Sequence, residues 1–185
     1  MDISAYINVA FPMGICLIGF ILFLTAIAPF KKAYINKGAL FFYITGIILL
    51  LLVPSNFWLK FWYNMIGWES SGIDVSELFS GSFNVVPRLF RYVLGEATYG
   101  GWTHKMILSN IVLFIPFGML VPSTLKKSSY GKVLAIGAVF SSVIELLQPI
   151  VGRSFDVDDI IMRVIGTTIG FFFYLILKNR CKSNI

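Results

Sequence analysis

Five stretches of this chain are apolar enough to cross a bilayer, and the polar positions inside them are few and specific. A helix needs about 20 apolar residues to cover the hydrocarbon core. Residues 3–30 are free of charge and long enough to cross with tilt, and residues 38–59 form a second such run. Residues 106–125 form the third, with Pro116 in the middle as an expected kink. The fourth run, residues 133–152, is interrupted only by Glu145, and the fifth, residues 160–177, only by Arg163. The pattern predicts an all-α integral membrane protein, a bundle of five transmembrane helices in a single domain over residues 1–185. Asp2 stands where a leader would carry basic residues, and the first run is long for a cleaved segment. Both features predict that it is retained as an anchor.

The connection between the second and third runs, residues 60–105, is itself unusual. It follows Trp58 and opens with Trp62, Tyr63 and Trp68, a set suited to a membrane–water interface. Its centre, IDVSELFSGSFNVVPRLFRYVLGEATYGGW, is too apolar for a free loop and too broken by Gly and Pro to span. It is expected to lie on the membrane surface or to dip in as a partly membrane-embedded connection covered by protein.

Charge changes the picture by fixing a direction. The chain is 57% hydrophobic, 13% charged and carries a net charge of +6. Lys31, Lys32 and Lys37 follow the first run, Lys126, Lys127 and Lys132 the third, and Lys178, Arg180 and Lys182 the fifth. No acid lies in those three segments. Asp2, Glu69, Asp74, Glu77, Glu96, Asp156, Asp158 and Asp159 fall on the other side or at its edge, and Glu145 lies within a run. The positive-inside rule then places the N-terminus outside, the C-terminus in the cytoplasm and the 60–105 connection outside. The basic excess reads as topology, so no nucleic-acid partner is expected. A single histidine, His104, and two distant cysteines, Cys16 and Cys181, supply no metal-ligand set, and no cofactor motif occurs.

Ionised groups inside hydrocarbon need a partner, water or a task. Glu145 lies eight residues before Arg153, and Arg163 nine after Ser154, on either side of the expected turn between the last two runs. At 1.5 Å per residue both sit roughly 10 Å below that turn. They are therefore expected to pair, directly or through one intermediary. Gln148 is one turn above Glu145 and Asp159 one turn above Arg163, while Asn110 enters the same layer from the third run. The five would line one cavity, opening outward beneath a loop that carries Arg153, Asp156 and Asp158. A blander reading stands beside this one. The aspartates suit the first turn of a helix, Gln148 and Asn110 bond helices to one another, and Arg163 snorkels.

The motifs N-I-V-L-F-I-P-F-G, E-L-L-Q, D-V-D-D-I-I and G-T-T-I-G, preceded by F-N-V-V-P, resemble the VanZ-like family of bacterial membrane proteins over residues 83–174. The resemblance marks Asn84, Pro87, Asn110, Phe114, Pro116, Gly118, Glu145, Gln148, Asp156, Asp159, Gly166 and Gly170 as family positions. It implies a bacterial plasma membrane and a link to teicoplanin, a lipid-bearing glycopeptide antibiotic to which the founding member is associated with resistance. Arg163 departs from the pattern, which usually has Asn there. The added cation would neutralise Glu145 or exchange a hydrogen-bonding role for an ionic one.

The leading expectation is a VanZ-like envelope protein whose outward polar pocket receives a membrane lipid, a lipid-linked wall precursor or a lipidated glycopeptide. Asn84, Arg88, Asn110, Gln148, Arg153 and Asp156 are the candidate ligand-binding residues, with Arg91 beside Arg88 suited to phosphate or carboxylate. The alternative is an intramembrane enzyme acting on an envelope lipid, for which Glu145, Asp159 and Arg163 are the catalytic candidates. No nucleophile with an adjacent base supports it. A small ion-coupled transporter built on Glu145, or an accessory subunit of a membrane complex, are the further alternatives.

Overall fold

A computed structural model describes residues 33–52, 79–87, 89 and 101–183 of the chain. The first apolar run, most of the 60–105 connection, Arg88 and Arg91 lie outside the described residues.

Four long helices organise what is described: α1 (Ala33–Leu52), α2 (Gly101–Thr124), α3 (Tyr130–Leu147) and α4 (Val157–Ser183). Three segments are long and apolar enough to cross a membrane, namely Met106–Thr124, Tyr130–Val151 and Val157–Arg180, and a shorter apolar stretch covers Asn36–Leu52. These are the third, fourth and fifth expected spans, together with part of the second. The expected five-helix bundle is therefore seen here as three spans and one shorter apolar helix. Pro116 and Pro122 both lie inside α2.

Helical periodicity explains how the helices meet. On α1, Ala39, Tyr43, Ile47 and Leu51 recur every four residues, and all are buried. Tyr43 sits in that stripe and donates its hydroxyl proton to the Leu113 carbonyl of α2 at 2.6 Å. On α4, the buried positions are Met162, Arg163, Gly166, Thr167, Gly170, Phe171 and Tyr174, again a single stripe.

The α2–α4 contact is the most extensive in the described structure. Its cause lies in three glycines. A side chain at Gly166 would strike the Ile111 carbonyl, one at Gly170 the Ile115 carbonyl, and one at Gly118 the Thr167 carbonyl. The G-T-T-I-G step thus brings one backbone against another, the use small residues have where lipid supplies no hydrophobic drive between helices. Phe114, Phe117 and Phe140 fill the core beside this contact, with Phe117 and Phe140 stacked at 5.1 Å.

The turn between α3 and α4 is a short 3₁₀ segment, Gln148–Val151, closed by Gly152 in the left-handed conformation at φ 78°. The described residues are mostly helical, and one short strand pairing joins the helices. Residues Phe83–Asn84 (β1) pair in parallel with Phe155–Asp156 (β2), Phe83 opposite Phe155 and Asn84 opposite Asp156. The part of the connection that is described is thus a strap across the α3–α4 turn, held by its backbone. Phe155 N–H donates to the Ser82 carbonyl at 2.8 Å, and Phe79 N–H to the Ile150 carbonyl at 3.1 Å.

Candidate functional site

Glu145 and Arg163 meet as the depth argument requires. Arg163 Nη2 lies 2.6 Å from Glu145 Oε1, with 1% and 0% of the two side chains exposed. Helix α3 brings the carboxylate from its last turn and α4 the guanidinium from its second. Two buried charges at one depth on adjacent helices satisfy each other, where either alone would cost several kcal/mol.

The remaining members close around the pair. Arg163 Nε donates to Asn110 Oδ1 at 3.0 Å, and Arg163 Nη2 also reaches Asp159 Oδ2 at 3.3 Å. Asn110 completes a ring by donating from Nδ2 to Asp159 Oδ1 at 2.8 Å. With its amide oriented to satisfy both of its atoms, Gln148 Nε2 donates to Glu145 Oε2 at 3.0 Å and to the Ser154 carbonyl at 3.1 Å. Arg163 thus pairs with Glu145, the first of the two roles expected of it, and adds a hydrogen bond to Asn110 that was not expected. Its guanidinium carbon also stands over the Phe114 ring, 5.7 Å from the centroid. Arg163 Nη1 and the hydroxyl of Ser141, one turn below Glu145, are both buried without a hydrogen-bond partner.

The five expected residues come together, but as a packed layer. Glu145, Gln148 and Asn110 are 0%, 2% and 7% exposed. Asp159, at 21%, is the member that reaches toward the turn end of the bundle.

Above the layer, Glu145 Oε2 accepts the backbone N–H of Asp156 at 2.9 Å. Asp156 in turn accepts from Asn84 Nδ2 at 2.9 Å through Oδ2 and from the Asp158 N–H at 2.9 Å through Oδ1. Asp158 accepts the Leu89 N–H at 3.2 Å. Asn84, marked by resemblance alone, is thus two hydrogen bonds from Glu145, with Asp156 between them. The capping reading of the aspartates also holds for Asp156, since its side chain receives an N–H of the first turn of α4.

Arg153, on the turn above the layer, reaches across to α1. Its Nη1 donates to the carbonyls of Leu51 at 3.1 Å and Leu50 at 3.4 Å, the C-terminal end of α1. A cation there satisfies carbonyls that the helix leaves open. Loss of solvent around the guanidinium, and then repulsion from Arg163, lower its pKa from the ordinary arginine value. Sequence reasoning missed Ser82 and Ser154, whose hydroxyls bond across the strap at 2.8 Å, and nothing in their local pattern marks them.

Among the described residues no group of three or more His, Cys, Asp or Glu side chains is arranged to hold a metal ion. The chemistry the layer offers is ionic and hydrogen bonding: two carboxylates, one guanidinium and two amides. A family model described as VanZ/LLP1 matches residues 13–178, a segment that contains the whole polar layer, the strap and α1 to α3. No curated protein and no solved structure matches the chain. The interlocked glycines and the polar layer fall inside that match, which covers most of the chain, and the chain belongs to the VanZ/LLP1 family.

Proposed function

We propose that this protein works in a bacterial plasma membrane with the α3–α4 turn facing outward, and that the turn end receives the polar head of an amphiphile. The class is an envelope lipid, a lipid-linked wall precursor or a lipidated glycopeptide. The observation that carries the reading is the linked set running from the strap to the buried ion pair, Asn84–Asp156–Glu145–Arg163–Asn110–Asp159. Such groups are costly within a membrane, and bundle packing alone does not require two carboxylates and a guanidinium. Beside the polar end, Phe79, Phe83, Val85 and Val86 of the strap segment are exposed, an apolar surface suited to a hydrophobic tail.

The test is expression in a glycopeptide-susceptible bacterium, with growth scored against teicoplanin and against a glycopeptide lacking a lipid chain. Wild type is expected to raise tolerance to teicoplanin selectively, and Asp159→Ala or Asn84→Ala, at matched membrane levels, to remove the gain. Unchanged tolerance for wild type, or equal tolerance for all three proteins, sinks the reading.

A further inference from the structure

The acids of the described residues, Glu145, Asp156, Asp158 and Asp159, all lie at the turn end of the bundle or just beneath it. The opposite end carries the other sign. Residues 125–129 join α2 to α3 there, and α4, which leaves the α3–α4 turn, finishes there at Ser183. Helix α1 starts at the same end, because its last carbonyls, those of Leu50 and Leu51, accept from Arg153 at the turn. The topology thereby gathers Lys37, Lys126, Lys127, Lys132, Lys178 and Arg180 from three helices and one connection. None of the six is ion-paired among the described residues, and all but the half-buried Lys178 are exposed.

Like charges gathered without acids repel one another, and an anion from outside the chain relieves that repulsion. The same end also carries an exposed aromatic surface. Tyr130, the first residue of α3, holds its ring 5.6 Å from Phe171 and 6.0 Å from Phe172 of α4, and its hydroxyl hydrogen bonds with Thr168. Farther along α4, Lys178 Nζ stands 5.6 Å from the centre of the Tyr174 ring, which packs against Phe171. Tyr130 and Phe172 remain 43% and 54% exposed. Basic side chains thus border rings that a free anion would leave uncovered. A molecule with an anionic head and an acyl chain covers both.

We propose that the basic end of the bundle binds an anionic phospholipid of the leaflet it meets, with Lys126, Lys127 and Lys132 on the head group and Tyr130 and Phe172 along an acyl chain. Lysine suits the task, since its ammonium is a mobile point charge with three donors on a long stem. Clustered basic residues beside a span attract anionic lipid, and a tyrosine ring sits well at head-group level. Lys37, Lys178 and Arg180 widen the positive field around the three. The site lies at the opposite end from the polar layer and does not depend on which amphiphile, if any, the turn end receives.

The experiment is native mass spectrometry of the detergent-solubilised full chain, titrated with dioleoyl phosphatidylglycerol and, separately, with dioleoyl phosphatidylcholine. Wild type is expected to bind the anionic lipid about tenfold more tightly or better, with a preference that shrinks as ionic strength rises. Lys126→Gln, Lys127→Gln and Lys132→Gln combined bring the two lipids to equal affinity, whereas arginine at the same three positions keeps the preference. Equal affinity of wild type for both lipids overturns the proposal. So does a preference that the glutamine variant retains in full. Displacement of phosphatidylglycerol by inorganic phosphate also overturns it, because the site would then belong to a free anion. The wild-type comparison decides the first point even if a variant fails to fold.

Discussion

At the scale of single residues, the Glu145–Arg163 pair is a burial liability turned into a tie between helices. Arg163→Ala leaves Glu145 buried and uncompensated, a loss of about 3–5 kcal/mol by analogy with other buried pairs. Removing both charges together, in Glu145→Ala with Arg163→Ala, is expected to cost less than the sum of the single changes. Thermal unfolding of the four detergent-solubilised proteins closes this double-mutant cycle, and strict additivity would contradict the pairing. This contact was legible in the sequence because two facts sufficed: charges are costly in hydrocarbon, and a hairpin fixes relative depth. Asn84 with Asp156 was not legible on physical grounds. The two lie 72 positions apart, and no periodicity relates a residue in an irregular connection to one beyond two helices.

At the scale of elements, the α2–α4 interface rests on glycine at positions where a methyl group meets backbone that cannot yield. Gly170→Ala is expected to destabilise by about 1–3 kcal/mol. Gly38→Ala, in α1 with nothing near the added carbon, should be neutral or gain about 0.5–1 kcal/mol from lower chain entropy and better helix propensity. Unfolding of the two variants side by side checks the contrast; equal effects would show that close approach does not hold the interface. The helix ends show what hydropathy hides. Helix α2 begins at Gly101, α3 at Tyr130 and α4 at Val157, each before its apolar run. In α4 the reason is clear: Asp158 and Asp159 occupy the first turn, where a helix's positive end favours carboxylates that an apolar criterion excludes. The strap escaped notice because two-residue strands are too short for an alternating pattern.

At the scale of the whole molecule, the arrangement of basic residues leads us to expect the α3–α4 turn outside and the tail carrying Lys178, Arg180 and Lys182 inside. In a background with Cys16→Ser and Cys181→Ser, a cysteine introduced by Ser154→Cys should react with a membrane-impermeant maleimide on intact cells. Native Cys181, left alone in a Cys16→Ser background, should react only after lysis. The reverse pattern would invert the orientation and with it the side on which the α3–α4 turn lies.

The pairing of the strap with the turn also has a temporal side. Asn84 is synthesised well before Asp156, so its backbone and amide must wait, bound to water or to other groups, until both later helices are in place. Closing a loop of that length is entropically slow to reward. The parallel bridge is therefore a late step in assembly. A nascent chain halted before the final helix would hold its strap unanchored, however completely its earlier helices had entered the bilayer.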